Sequence, residues 1–157
     1  MTTDASFQDG AEQAVRLVAA TTDDLAVISA LAQDAVCKVG RIQYMPRLRR
    51  FSFMLYRFRW EDKANAEKQK RQFERVSAAL IVDDVMGVKA TGVDQSDPEF
   101  VFNILGLDFA AGEDGSGAVT IRCSGGTTFI FKVEALNITL TDLTQPWAAA
   151  AAPKHED

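Results

Sequence analysis

The sequence predicts an α+β protein in which β structure dominates: a strongly curved antiparallel sheet, or barrel-like roll, of about eight strands with one N-terminal helix. Three observations carry this. A single stretch shows a capped, amphipathic helical stripe; from Val36 onward apolar residues recur at every second position; and close turns rich in Gly and Asp separate the apolar runs. A pleckstrin-like split barrel is the alternative. It would need a C-terminal helix, and the last apolar run alternates by two instead.

The elements are taken in chain order. Gln13–Ala20 alternates loosely, with Val15, Leu17 and Ala19 on one face, and reads as a first strand. Thr21 can accept an orphan backbone N–H as an N-cap, and Asp23 and Asp24 suit the positive end of the helix dipole. Leu25, Ile28, Leu31, Ala32 and Ala35 then form one apolar stripe. Val39, Ile42 and Tyr44 lead to Pro46, whose fixed φ and missing N–H suit a turn. Arg50–Trp60 is a long β segment. Phe51, Phe53 and Leu55 share one face, whereas Met54, Tyr56, Phe58 and Trp60 share the other, so the pattern predicts a bend, a bulge or burial on both faces there.

Glu61–Gln72 is highly charged with no apolar stripe, and fits a short surface helix or a loop. Phe73–Val82 and Val85–Thr91 read as strands on either side of an Asp83-Asp84 turn, followed by a loop at Gly92–Glu99. Phe100–Phe109 is apolar on both faces and reads as a central strand. Ala118–Cys123 and Thr127–Val133 flank Ser124-Gly125-Gly126 as a hairpin, with Val119, Ile121, Phe129 and Phe131 inward. Leu136, Ile138 and Leu140 mark a last strand. One globular domain over residues 13–147 is expected, with flexible termini at 1–12 and 148–157.

Composition bounds the function. With 47% apolar and 25% charged residues, the chain of 157 residues is close to globular averages. No stretch is long and apolar enough for a transmembrane helix, and MTTDASFQDGAEQ lacks a basic region followed by an apolar run, which argues against a secretory signal. Two isolated cysteines, Cys37 and Cys123, fit a reduced, cytoplasmic protein. Charge is polarised. From Lys38 to Arg75, 12 Lys and Arg stand against 4 Asp and Glu, a balance of +8; the rest has 5 against 18, or −13, within a total of −5. Mutual pairing of the two parts is the simpler account, and a site for an anionic partner is the other.

Chemistry is narrowed by absence. The single histidine, His155, lies in an Ala-rich tail, which argues against a Ser–His–Asp triad, a Cys–His pair or a His-bearing metal site. No phosphate-binding glycine motif occurs. No catalytic residue, cofactor or metal is therefore assigned. Asp94, Asp97 and Glu99 could hold a hard cation only weakly, and capping and turn formation explain them and Asp23–Asp24 more simply. Asp108, set in an apolar strand, is expected to pair with an arginine of the central segment. That segment carries the sharpest candidate, since arginine interleaved with aromatics is what single-stranded nucleic acid binding uses. Its residues are Arg47, Arg49, Arg50, Tyr56, Arg57, Arg59 and Trp60. The simpler reading puts the aromatics in the core and points the arginines outward toward acidic neighbours.

The order of TDDLAVISALAQDAV, VGRIQYMPRLRRFSFMLYRFRWE and VTIRCSGGTTFIFKVEALNITLTDLTQPW resembles a bacterial, mainly alphaproteobacterial, domain-of-unknown-function family, of the type catalogued as domain of unknown function 2948. The likeness covers roughly Arg16 to Trp147, and Y-x-P-R-x-R-R-F and the Gly-Gly hairpin are its most specific parts. It implies a single-domain cytoplasmic protein and no activity, cofactor or catalytic residue. Three functions are carried forward. The first is a non-enzymatic binding or protein-interaction module, its partner (a protein or an anionic molecule) at the basic hairpin around Pro46 or in a cleft beside Tyr56 and Trp60, with homodimerisation open to it. The second is a nucleic-acid-binding protein using strand 47–60. An enzyme using carboxylate and arginine chemistry is the least favoured.

Overall fold

Every strand among the described residues pairs antiparallel with its neighbours, in the order β1-β9-β4-β3-β2-β6-β7-β8-β5. The computed structural model describes residues 15–68 and 75–143. Within them the strands are β1 (Arg16–Ala19), β2 (Val36–Met45), β3 (Arg50–Phe58), β4 (Arg75–Val82), β5 (Val85–Thr91), β6 (Val101–Ala111), β7 (Gly117–Cys123), β8 (Thr128–Val133) and β9 (Ile138–Asp142). Helix α1 (Thr22–Ala32) follows β1, and a six-residue helix α2 (Lys63–Lys68) follows β3. This is the β-dominated α+β architecture expected, with nine strands rather than about eight and a sheet that curls without closing. No helix among the described residues is long and apolar enough to cross a membrane.

The curl creates the core. Because side chains alternate along each strand, a sheet bent back on itself buries its concave face. Phe51 and Phe53 of β3 meet Phe129 and Phe131 of β8 across the interior at centroid separations of 5.0–6.2 Å, and Phe102 of β6 joins them. Leu80, Ile104, Ile121, Ile138 and Leu140 complete the interior. Helix α1 lies across β6 and β1 and buries Leu25, Ile28 and Ala32, as its stripe predicts. Thr21 caps it, its Oγ1 accepting from Asp24 N at 3.1 Å. Ser29 on the same helix accepts from Leu107 N at 2.9 Å, which fixes the helix to the middle of β6.

The bend sits elsewhere than the sequence pattern places it. β3 alternates without interruption: Phe51, Phe53, Leu55 and Arg57 all point inward, and Met54 and Tyr56 point out. The irregularity lies in β2, where the register against β3 shifts between Cys37 and Ile42. An extra residue in one strand increases local twist and re-aims the side chains beyond it. Here Val36–Lys38 pair with β6, Gly40 N still donates to Pro98 O at 2.9 Å, and Ile42–Met45 stay with β3 alone. The phase change inferred for β3 is an artefact of Arg57, a charged residue in an inward position.

The hairpin joining β2 to β3 is a single 3-10 turn, Pro46–Leu48, closed by Arg49 in the left-handed region at φ 54°. Its tip is exposed. Ser124–Gly126 turns β7 into β8 with Gly125 at φ 68° and Gly126 at φ 79°, conformations that cost glycine little. The expected strand start at Gln13, the residue Phe73 and the tail 148–157 lie outside the described residues.

Candidate functional site

The arginines in and beside β3 fall into two groups with different fates. At the hairpin, Arg47 and Arg49 are exposed and Arg50 is partly so; Arg49 Nη1 lies 2.9 Å from Glu134 Oε1 and Arg50 Nε 2.7 Å from Asp83 Oδ1. At the other end, Arg57 and Arg59 are buried. Both the binding reading and the simpler one expected these two to point outward, and neither does.

Arg57 is 0% exposed and sits in a fork of two carboxylates. Its Nε and Nη2 donate to Asp142 Oδ1 and Oδ2, each at 2.9 Å. Its Nη1 and Nη2 donate to Glu61 Oε1 and Oε2 at 3.0 and 2.8 Å, and Nη1 also reaches Phe58 O at 2.9 Å. Two bidentate pairs satisfy the planar guanidinium, which is how such a charge survives burial. Asp142, from the last strand, additionally accepts from Val15 N at 2.9 Å. Burial opposes the charge on Arg57, but Glu61 and Asp142 outweigh it and hold the guanidinium above its ordinary value. Likewise burial would raise Glu61, yet Arg57 holds its carboxyl below the usual range. Nearby, Trp60 Nε1 donates to Gln33 O at 2.9 Å, tying this corner to the C-terminal end of α1.

These shifts set the sign of the acid response. A depressed carboxyl contributes stability that is present above its unfolded value of 4.5 and is lost as pH falls through the lower folded value. Melting temperature is therefore expected to drop between about pH 5 and about pH 3, and less steeply in Glu61→Gln than in the parent. Equal slopes in thermal scans of the two proteins would remove Glu61 from this account.

The structure places Tyr56, 48% exposed, on the outer face, where it lines a shallow hollow of about 200 Å³ with Val36, Lys38, Arg41 and Met54. Trp60 does not line it. A larger cleft, about 420 Å³, opens where the roll fails to close. Val39, Ile42 and Tyr44 of β2 form one wall, Val88 and Ala90 of β5 the other, with Phe51 and Phe129 as the floor and Gln95 as the polar contribution. Volumes of roughly 300–1,000 Å³ with mostly apolar walls are typical of ligand sites. Sequence alternation marked Val39, Ile42 and Tyr44 as one face of a strand. That β5 stands opposite them depends on strand order, which no local pattern encodes.

The remaining candidates have structural duties. Asp94 accepts from Ser96 N and Oγ, Asp97 from Glu99 N, and Glu99 pairs with Lys38 at 2.8 Å. Asp108 is exposed and bonds to Arg122 at 2.7 Å, so its partner comes from β7 and not from the central segment. Among the described residues no group of three His, Cys, Asp or Glu could hold a metal ion. Cys37 and Cys123 are free thiols, each pushed up to about 12 by burial, which removes the thiolate on which cysteine chemistry depends.

A family model described as a protein of unknown function (DUF2948) matches residues 15–155. No curated protein matches the chain, and no solved structure does.

Proposed function

The chain belongs to this family of proteins of unknown function, and on that premise we propose that it is a non-enzymatic binding module whose partner enters the cleft between β2 and β5. The observation that carries this reading is the cleft itself. It is an apolar opening of about 420 Å³ that reaches down to the buried rings of Phe51 and Phe129, beside the basic turn at Pro46–Leu48. Arg47, Arg49 and Arg50 stand at the hairpin end and supply charge at the rim. Arg57, Arg59 and Trp60 stand at the opposite end of β3, where the buried Arg57 and Arg59 hold the strand in place. Tyr56, with Lys38 and Arg41, offers a basic aromatic spot on the outer face, which is what remains in support of nucleic acid.

The test uses 8-anilinonaphthalene-1-sulfonate, an apolar anion, as a probe of the cleft. Fluorescence enhancement is expected with the parent protein and is expected to be lost in Ala90→Phe, which fills the cleft from β5, at an unchanged melting temperature. Equal enhancement in both proteins would place the probe elsewhere and end the reading. Salt-sensitive retention of single-stranded oligonucleotide on filters, abolished by Tyr56→Ala with Arg41→Ala, would favour the nucleic-acid reading instead.

A further inference from the structure

The occupant of this cleft can be named by class, and the inference rests on the binding reading above. We infer that the cleft takes an extended polypeptide segment as an added strand, antiparallel to β5, with basic residues at the segment's N-terminal side and acidic residues or a carboxylate at its C-terminal side.

Backbone topology supplies the first half of the argument. β5 ends the strand order and is bonded to β8 along one edge; on the other, Val85 N donates to Arg49 O and the rest of the strand faces no described strand. From Ile42 to Met45, β2 is bonded to β3, and no described strand lies on its other edge. Both unpaired edges therefore border the same gap, and each presents N–H and C=O groups that want partners. The two strands run in opposite directions across it. Val85, where β5 begins, donates to Arg49 O at the hairpin, whereas β2 begins at the far end, with Val39 and Gly40 bonded to Phe100 and Pro98. One strand laid between them can bond to both, and its alternate side chains would fall on Phe51 and Phe129 while the others face water.

Charge supplies the direction. The hairpin end of the cleft carries Arg47 and Arg49, and the other end carries the Gly92–Glu99 loop with Asp94, Asp97 and the cleft-lining Gln95. Among the described residues Arg49 is held by a surface pair with Glu134, each side chain about half exposed, so exchange for an incoming carboxylate costs little. A segment antiparallel to β5 ends at the arginines and starts at the aspartates. Its termini and flanking charges then meet complementary groups at both ends, while its backbone runs antiparallel to β5 and parallel to β2.

The experiment uses two synthetic peptides of identical composition, KKTVTVTVEE and EETVTVTVKK, titrated against the full-length protein by fluorescence anisotropy. The first is expected to bind at least about tenfold more tightly than the second at physiological salt. Its binding should slow hydrogen exchange of amides in both Met86–Ala90 and Ile42–Met45. In Arg47→Glu/Arg49→Glu, or independently Asp94→Lys/Asp97→Lys, the preference between the peptides should shrink or invert. Anilinonaphthalene sulfonate binding in the cleft without peptide binding would overturn the strand inference and leave the cleft reading intact. Neither probe binding would overturn both. Peptide binding without protection along β5, or with no preference for order, would also overturn the inference.

Discussion

Arg57→Ala is expected to cost ~3–5 kcal/mol of stability, the range for breaking one side of a buried ion pair. In a domain whose whole stability is of the order of 5–15 kcal/mol, that is enough to leave part of the population unfolded. The cost comes less from bonds lost than from what stays behind. Asp142 is buried on β9, its side chain 0% exposed, and without the guanidinium its charge is left uncompensated. Arg57→Met/Asp142→Asn keeps an acceptor for Val15 N and removes both charges together. It should lose markedly less than the sum of the two single variants. Urea unfolding of the four proteins decides the matter: a loss below about 1 kcal/mol for Arg57→Ala would mean that water reaches Asp142.

Phe53→Ala is expected to cost a similar ~3–5 kcal/mol, by a different mechanism. Phe53 is 0% exposed, and its ring meets Phe129 at 5.2 Å and Phe131 at 6.2 Å edge-on, Phe102 at 6.4 Å edge-on and Phe51 at 5.0 Å tilted. These contacts join β3 to β6 and β8, so they hold the two arms of the curled sheet together. Removing the ring leaves a cavity that three strands from different parts of the chain would have to collapse together to fill. Phe53→Leu should cost less than half as much in the same denaturation series. A change within about 0.5 kcal/mol for Phe53→Ala would show that the arms are held by other contacts.

Local chemistry wrote much of this fold legibly. Thr21 and the Leu25–Ile28–Ala32 stripe declare α1 because capping and helical spacing are short-range properties. Val119, Ile121, Phe129 and Phe131 declare the β7–β8 hairpin for the same reason, aided by Gly125 and Gly126. Part of the polarised charge is paired across the chain: Lys38, Arg49, Arg50 and Arg57 reach Glu99, Glu134, Asp83 and Asp142, all in the acidic remainder. Arg57 was opaque for a physical reason. A polarity pattern assigns charged residues outward, and it is Glu61 together with the distant Asp142 that compensates the inward position. The cleft was opaque because it is a gap between β2 and β5, which have β6, β7 and β8 between them in the sheet and β3 and β4 between them in the chain.

The pairing of β1 with β9 has a consequence for how the protein is made. Val15 and Asp142 are 127 residues apart, yet they exchange hydrogen bonds through both main chain and side chain. On a ribosome, synthesis at about 5–20 residues per second keeps β1 without its partner for many seconds. Once they have been made, the outer edge of β4 also waits for β9, and the Arg57 guanidinium waits for Asp142. A nascent chain arrested before Ile138 would thus display two bare strand edges and a half-matched charge in its core, a state suited to capture by chaperones or to coalescence with its neighbours. Among the described strands, the last to leave the ribosome pairs with the first.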